Sequence, residues 1–310
     1  MNARVSAVVV TYRSEARLPA LLPPLREAVD EVVVVDNASD DDSVAVAWRL
    51  VPDAIVIRRD RNDGFAAGVN AGAAASTGDL VLLVNPDVVL TPPAVDALVA
   101  AAARHPGDIV GPIVRYPDGR LQPSRHGLPT VWNLLGEQAL VPESTPVGRW
   151  PARLWPRWRS YDREEHGPIL SGCSLLVPRA TLQSVGPFDE GYFLYWEEVD
   201  WQLRARLAGH RSWLVPAAEV THDRGRSAGP SDPRLVEVFH RSTRRFLRRW
   251  LPVPARSAVL AILGGGQLAR LVAWSLPPFS DREGARLRRD QHRRALRVLW
   301  ALPRRPAGRL

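Results

Sequence analysis

The stretch LVLLVNPD, residues 80–87, decides the fold: a run of five apolar residues stops abruptly at Asn85, Pro86 and Asp87. An uninterrupted apolar run of this length predicts a strand that is buried on both faces. Comparable runs stand at 7–12, 31–37, 54–59 and 108–114, and helical stretches separate them, ending near 29 and covering 41–50, 64–77 and 93–105. Strands that alternate with helices predict an α/β domain with a mostly parallel central sheet and helices on both faces.

Polar residues follow two of these predicted strands, and ligands bind parallel sheets at the carboxyl ends of the strands. Asp36 and Asn37 end the second run, where they can bind a nucleobase or ribose, or make a turn with Ser39 that caps the next helix. Asn85 and Asp87 end the fourth run and offer oxygen ligands to a hard divalent cation held between phosphates. Both features are also common in ordinary turns, so the residues alone leave the alternatives open.

A second concentration of acids lies in FLYWEEVDW, residues 193–201. Glu197, Glu198 and Asp200 stand within four positions beside aromatic residues, and carboxyl groups in such surroundings suit the role of a general base. The alternative is a helix N-terminus whose dipole is stabilised by acids. Further on, His222 follows an apolar run and precedes a polar loop, although a lone histidine is more often structural than a ligand.

The charge divides the 310-residue chain into two parts. Residues 241–310 hold 17 arginines against three acids, a net charge of +14, whereas residues 1–240 carry 24 basic and 30 acidic side chains, a net charge of −6. A basic tail suits binding to nucleic acid or to an anionic membrane surface. The net negative charge of residues 1–240 argues against a nucleic-acid-binding protein. Cys173 is the only cysteine, which excludes an internal disulfide and a multi-cysteine metal site. The N-terminus reads as a strand rather than a signal peptide, so we expect a cytoplasmic protein.

The remaining segments are less regular. Residues 115–167 are rich in Pro, Trp and Arg and predict loops with short helices, and regular structure returns at 168–222. The apolar stretch 257–276 contains Gly264–Gly266 and Arg270, and it is too broken to predict a membrane-spanning helix. In the tail, an aromatic stripe among arginines predicts either helices packed on the α/β domain or an interfacial membrane anchor. That stripe consists of Phe239, Ser242, Phe246, Trp250 and Val253.

Seven segments, taken in order, resemble the inverting family 2 glycosyltransferases of GT-A fold, and among them the bacterial rhamnosyltransferases. These segments are VVVTYRSE (8–15), VVVVDNASDD (32–41), NDGFAAGVNAG (62–72), LLVNPDV (82–88), SGCSLLVPR (171–179), GPFDEGYFLYWEEVDWQLRARLAG (186–209) and VTHDRGRS (220–227). The resemblance runs from about residue 4 to 228. It implies a catalytic domain at 1–230, with a nucleotide-sugar-binding half at 1–114 and an acceptor-side half at 115–230. A basic amphipathic helical tail then occupies 231–310.

The resemblance also implies roles for individual residues. The donor side comprises Thr11 and Tyr12 lining the nucleotide pocket, Asp36 reading the base, and Asn62, Gly68 and Asn70 near the diphosphate. Asn85 and Asp87 occupy the position of the family's D-x-D motif, where Asp87 holds Mg²⁺ or Mn²⁺ and His222 approaches the metal. Glu198 occupies the position of the catalytic base, with Glu197 or Asp200 as alternatives. This chain departs from the family pattern in having Asn85 for an acid and Glu198 for an Asp.

These correspondences lead us to expect an enzyme that transfers a sugar with inversion. The expected donor is a dTDP- or UDP-sugar, with dTDP-L-rhamnose as the first candidate, and the expected acceptor is a cell-envelope glycan or a polyprenyl-linked glycolipid. The basic tail would then hold the enzyme at the inner face of the cell membrane. The alternatives are another hexosyl or galactofuranosyl transferase of this family, or a non-catalytic protein that binds nucleotide sugars.

Overall fold

The computed structural model describes residues 3–126, 161–167, 169–223, 233–277, 279–280 and 284–301. These residues divide into two compact units, the first formed by 3–126 and 161–223 and the second by the described residues from 233 to 301. Most of the segment 115–167, including the predicted short helices, lies outside the described residues.

The first unit alternates strands and helices over its N-terminal half, as the apolar runs predict. Its strands are β1 (Val5–Thr11), β2 (Glu31–Asp36), β3 (Ile55–Arg58), β4 (Leu80–Val84), β5 (Val88–Val89), β6 (Ile109–Arg115), β7 (Leu121–Gln122), β8 (Arg125–His126), β9 (Glu165–Gly167), β10 (Ile169–Leu170), β11 (Ser174–Pro178) and β12 (Ser212–His222). Its helices are α1 (Leu18–Ala28), α2 (Ser43–Leu50), α3 (Phe65–Ala75), α4 (Pro92–Arg104), α5 (Arg179–Val185) and α6 (Glu197–Leu207).

The main sheet has the strand order β3-β2-β1-β4-β11-β6-β12-β5. Strands β1 to β4 pair in parallel, and β6 pairs in parallel with β12. Strand β11 lies antiparallel between β4 and β6. The predicted mostly parallel sheet is therefore confirmed for its long strands, and β11 is the exception. The run SLLVP carries no signal of strand direction, because direction depends on where the connecting segments cross the sheet.

Both faces of the sheet are buried, which explains why its strands read as continuous apolar runs. Successive side chains of β1 enter opposite cores: Ala7 and Val9 pack on the side of α1, whereas Val8 and Val10 pack on the side of α3. Helix α3 can approach β1 closely because residue 68 is a glycine. A Cβ at this position would lie only 2.5 Å from Val10 Cγ1. A small-residue helix is thus required at this place in the sheet.

The second unit contains three helices among its described residues: α7 (Pro233–Trp250), α8 (Val253–Ala273) and α9 (Ala285–Leu299). The predicted aromatic stripe is interrupted, because α7 ends at Trp250 and Val253 begins α8 with 60% of its surface exposed. Gly264 lies inside α8, where a Cβ would lie 2.1 Å from Trp300 Nε1, so this glycine permits close packing of α8 against the end of α9. Within the described ranges, every helix is too short or too polar to cross a bilayer.

Candidate active site

The carboxyl ends of three neighbouring strands build one edge of the candidate site. Strands β2, β1 and β4 lie side by side, and Thr11 at the end of β1 is paired with Asp36 at the end of β2. Asn85 and Asp87 follow directly after the end of β4. The structure therefore brings together the polar residues that were predicted separately from two strand ends.

Asp36 is buried and held by its neighbours. Its Oδ1 accepts hydrogen bonds from the Thr11 hydroxyl at 3.1 Å and from the Ser39 hydroxyl at 2.5 Å, and its Oδ2 accepts one from the Ser39 backbone N–H at 2.9 Å. Thr11 is fully buried, so it supports Asp36 rather than presenting a surface of its own, whereas Tyr12 is 41% exposed. A cavity of about 410 Å³ lies at the end of the adjacent β3, lined by Arg58, Arg59, Asp60, Arg61 and Asp63.

The loop before α3 connects this edge to the aromatic segment that precedes the acids. The Asn62 side chain accepts a hydrogen bond from the Gly64 N–H at 3.0 Å, and the Asn37 amide donates to the Gly64 carbonyl at 3.0 Å. Gly64 has a φ of +94°, and a Cβ there would lie 2.2 Å from the Phe193 carbonyl oxygen. Sequence reasoning missed Gly64, although the NDG sequence is a recognisable turn signal.

Gly68 and Asn70 occupy supporting positions. Gly68 packs against Val10, as described above, and both ends of the Asn70 amide bind the backbone of Phe188 at 2.9 Å. Asn70 therefore fixes the segment that leads to the acidic helix. The donor contact that the resemblance implies for these two residues stays a prediction.

Asp87 is the centre of a charged group at the end of β4. Its Oδ1 lies 3.4 Å from His222 Nε2, and its Oδ2 lies 3.7 Å from an Arg17 guanidinium nitrogen. The pairing of β5 with β12 sets this arrangement, because it places His222 opposite Val88, the residue after Asp87. The sequence did not predict Arg17, which lies 70 residues from Asp87 in the chain and immediately precedes α1, in the segment that follows the neighbouring strand β1.

The donor set around Asp87 fits a divalent cation. Two atoms that each lie about 2.1 Å from one cation are separated by roughly 3–4 Å, and the carboxylate and imidazole atoms here are 3.4 Å apart. The Asn85 side-chain oxygen is buried and has no hydrogen-bond partner. Nowhere in the described ranges do three His, Cys, Asp or Glu side chains gather as a metal cluster.

His222 is buried and bound at both ring nitrogens. Its Nδ1 lies 2.8 Å from the Gln122 side-chain oxygen, and its Nε2 faces Asp87. Burial lowers the pKa of His222, but contacts with Asp87 and Cys173 outweigh that effect and raise the pKa to about 9. The imidazole therefore carries a positive charge against Asp87 at neutral pH in the metal-free chain.

The three acids of α6 have different surroundings. Asp200 is fully buried and paired with Arg204 at 3.1 Å, with the Tyr192 hydroxyl at 3.4 Å, so it is fixed in a structural ion pair. Glu197 is buried as well. Its burial, and then the neighbouring Glu198 carboxylate, raise the pKa of Glu197 well above its ordinary value.

Glu198 is less buried than Glu197 and Asp200, and it lies near the end of strand β4. A Cβ on Gly172 would lie 2.8 Å from Glu198 Cγ, so Gly172 leaves the space that this side chain fills. The next residue, Cys173, accepts a hydrogen bond from the Asn85 backbone N–H at 2.9 Å. Glu198 and the β4 end therefore flank the same short segment. Tyr195 and Trp196 turn the chain into α6 with φ values of +69° and +75°.

Comparison with known proteins identifies the fold and the family. The model of "Glycosyl transferase family 2" matches residues 6–162. An N-acetylglucosaminyl-diphospho-decaprenol L-rhamnosyltransferase of Mycobacterium tuberculosis is 34% identical over 77% of this chain and 82% of its own length. This relative is therefore similar to the chain over most of the length of both proteins.

Two solved structures share the fold at low sequence identity. The mannosyltransferase PcManGT from Pyrobaculum calidifontis, in complex with GDP-Man and Mn²⁺, has a TM-score of 0.56 at 18% identity, covering 97% of this chain and 88% of its own. S. aureus TarS in complex with UDP-GlcNAc has a TM-score of 0.52 at 16% identity, covering 94% and 90%. The fold is therefore the GT-A fold, and the chain belongs to glycosyl transferase family 2.

Proposed function

We propose that this protein transfers L-rhamnose, with inversion, from dTDP-L-rhamnose to a polyprenyl-linked glycolipid. The observation that carries the proposal is the 34% identity, over 77% of the chain, to a rhamnosyltransferase named for a decaprenol-linked acceptor. The fold does not fix the sugar, because proteins of similar fold were solved with GDP-Man and with UDP-GlcNAc. The predicted alternatives, another hexosyl or galactofuranosyl transfer and silent binding, are therefore outcomes of the test below.

The test is to offer the purified chain dTDP-L-rhamnose, UDP-galactofuranose, UDP-GlcNAc and GDP-mannose with a polyprenyl-diphosphate acceptor that carries N-acetylglucosamine. We expect transfer from dTDP-L-rhamnose at a rate well above that from the other donors. Preferred transfer from another donor would identify a different member of the family. Binding of a donor without transfer or hydrolysis would favour the silent binding protein.

On the donor side, we assign binding of the base to Asp36 and binding of the diphosphate to the group around Asp87. A divalent cation, Mg²⁺ or Mn²⁺, held by Asp87 and His222 would supply positive charge to the leaving diphosphate. Arg17 lies within 4 Å of Asp87 and would add a second positive charge to the same phosphate oxygens. Charge placed in advance around a leaving group is an effective source of rate enhancement.

On the acceptor side, we assign the general base to Glu198. Glu198 takes the proton of the acceptor hydroxyl as that oxygen attacks the anomeric carbon and the bond from this carbon to the diphosphate oxygen breaks. Attack from the face opposite the leaving group inverts the configuration and needs no second carboxylate as a nucleophile. The ion pair of Asp200 with Arg204 and the burial of Glu197 favour Glu198 over these two alternatives.

Replacement of Asp36 tests the assignment of the base. Asp36→Ala removes a charged acceptor worth about 1.5–3 kcal/mol, so dTDP should bind about 10–100-fold more weakly. Calorimetric titration with dTDP measures this change, and Asp40→Ala, an exposed acid of the same loop that pairs with Arg13, is the matched control. Unchanged dTDP affinity in Asp36→Ala, or equal affinity of the parent chain for GDP and dTDP, would remove Asp36 from base recognition.

We also propose that the second unit binds an anionic membrane surface. Helix α8 buries Val259, Leu263 and Gln267, whereas its opposite face is exposed and apolar. That exposed face consists of Ala258, Ala261, Ile262, Gly265, Leu268, Ala269 and Val272. An apolar helix face that is exposed to solvent suits the boundary between lipid headgroups and acyl chains.

The charge of the neighbouring helices favours lipid as the occupant of this face. Helices α7 and α9 expose arginines at 241, 245, 248, 249, 286, 288, 293 and 297. Each basic residue near an anionic leaflet contributes about 1 kcal/mol, so a few engaged arginines suffice for reversible attachment. A lipid-linked acceptor stays in the bilayer, and an enzyme held at that surface meets it there.

Liposome sedimentation with the full-length chain tests this attachment. Ile262→Asp combined with Val272→Asp should abolish binding to vesicles that contain anionic lipid, and salt should weaken the binding of the parent chain. The control is Leu207→Asp, compared with Ile262→Asp alone, because each adds one negative charge at an exposed apolar residue and Leu207 lies in the first unit, 77% exposed. Salt-independent binding, or equal binding by the double variant, would contradict the proposed anchor.

A further inference from the structure

The glutamine beside His222 is the feature that the proposed function leaves unused. Gln122 ends β7 and is only 3% exposed. Its side-chain oxygen lies 2.8 Å from His222 Nδ1, although the two residues are 100 positions apart in the chain. A buried polar side chain whose oxygen is directed at a proposed metal ligand requires an explanation.

The sheet register explains how these residues meet. Gln122 is paired with Val114 of β6, and Val114 is paired with Val220 of β12. Paired residues on neighbouring strands point to the same face of a sheet, and so do residues two positions apart. Gln122, Val220 and His222 therefore share one face, and the β6–β7 turn presents the glutamine to the histidine.

The chemistry of the contact determines where the imidazole carries its proton. The atom of Gln122 that faces Nδ1 is a carbonyl oxygen, which only accepts hydrogen bonds. Nδ1 therefore carries a proton in the charged and in the neutral ring alike, and Nε2, which is directed at Asp87, is the nitrogen that gives up its proton when the ring becomes neutral. A neutral imidazole in this tautomer offers its Nε2 lone pair to a cation beside Asp87, and acceptors at the other nitrogen orient metal-bound histidines in this way.

Packing alone does not account for a glutamine here. The Gln122 side-chain nitrogen is buried and has no hydrogen-bond partner. An unsatisfied buried donor destabilises the folded chain, and an apolar side chain of similar size would avoid that loss. The contact of the oxygen with His222 is the interaction that distinguishes glutamine from such a side chain.

We infer that Gln122 is a positioning residue that holds His222 in the Nδ1–H tautomer and directs Nε2 toward a divalent cation at Asp87. The inference rests on the proposed cation site. The two-residue strand β7 would then supply the side chain that orients His222, the proposed metal ligand at the end of β12.

The test measures Mn²⁺ affinity rather than transfer. Free Mn²⁺ is followed by electron paramagnetic resonance while the metal is titrated into the full-length chain in the presence of dTDP. Gln122→Met keeps the length of the side chain but removes the acceptor, and loss of such a partner weakens metal binding about 10–100-fold. Gln122→Glu keeps the acceptor and makes it anionic, so it should bind Mn²⁺ more tightly than the parent chain.

Leu121→Glu is the matched control, because it adds the same charge one residue away, where the side chain points to the opposite face. Tighter binding by Gln122→Glu but not by Leu121→Glu supports the inference, and equal tightening by both would reduce it to a charge effect and overturn it. If the parent chain binds Mn²⁺, His222→Asn weakens binding and neither Gln122 variant differs from the parent, Gln122 has no positioning role. If the parent chain binds no Mn²⁺, both the cation site and this inference fail.

Discussion

Glu198→Gln is expected to lower the rate of transfer by about 10²–10⁴-fold, the usual loss when a general base is removed. Glutamine keeps the shape of the side chain beside Gly172 but does not accept a proton at neutral pH. Donor binding should persist, because Glu198 is assigned to the acceptor side of the site. Single-turnover transfer and titration with dTDP measure the two effects separately.

The other acids of α6 serve as controls for this result. Glu197→Gln removes a buried carboxyl group whose pKa is already raised, so it should reduce the rate much less. Asp200→Asn breaks the buried pair with Arg204 and should destabilise the fold by about 3–5 kcal/mol. If Glu198→Gln transfers at the parent rate while a folded Asp200→Asn chain is inactive, the base is wrongly assigned.

Asp87→Asn is expected to cut transfer by about 10²–10³-fold, comparable with the loss of one preorganised electrostatic contact in other active sites. The variant removes the negative charge that faces His222 and Arg17 and that would hold the cation against the diphosphate. Both the rate at saturating Mn²⁺ and the Mn²⁺ concentration needed for half-maximal rate should change.

The matched control for this substitution is Asp42→Asn, which makes the same change at an exposed acid before α2. Asp42→Asn should keep the parent rate and the parent metal dependence. An Asp87→Asn chain that retained both would remove Asp87 from the site and with it the proposed route of charge to the diphosphate.

The strands of the sheet could be predicted from the sequence because each is marked by its own continuous run of apolar residues. The runs that became β1, β2 and β4 are continuous and apolar, and both of their faces are in fact buried. The direction of β11 is not local, since it depends on how the chain returns between β4 and β6. The prediction that the aromatic stripe continues to Val253 on one helix was wrong, because α7 ends at Trp250, two residues before Pro252.

A site residue could be predicted from the sequence where it stands at the end of an apolar run that predicts a strand. Asp36 and Asp87 follow apolar runs, and they do lie at one edge of the sheet. Arg17 and Gln122 could not be found in this way, because their contacts with Asp87 and His222 span 70 and 100 residues and exist only once the strands have paired. Conversely, the sequence cannot show that the Asn70 amide is engaged by the backbone of Phe188.

The most direct test of the whole account is structural analysis of the reaction product. The purified full-length chain is incubated with dTDP-L-rhamnose, Mn²⁺ and the N-acetylglucosamine-bearing polyprenyl diphosphate, and the product is examined by mass spectrometry and by the one-bond carbon–proton coupling at the new anomeric centre. We expect a product that has gained a single deoxyhexosyl group in the configuration opposite to that of the donor. A product with the donor's configuration, or donor hydrolysis without any glycolipid product, would contradict an inverting rhamnosyl transfer at this site.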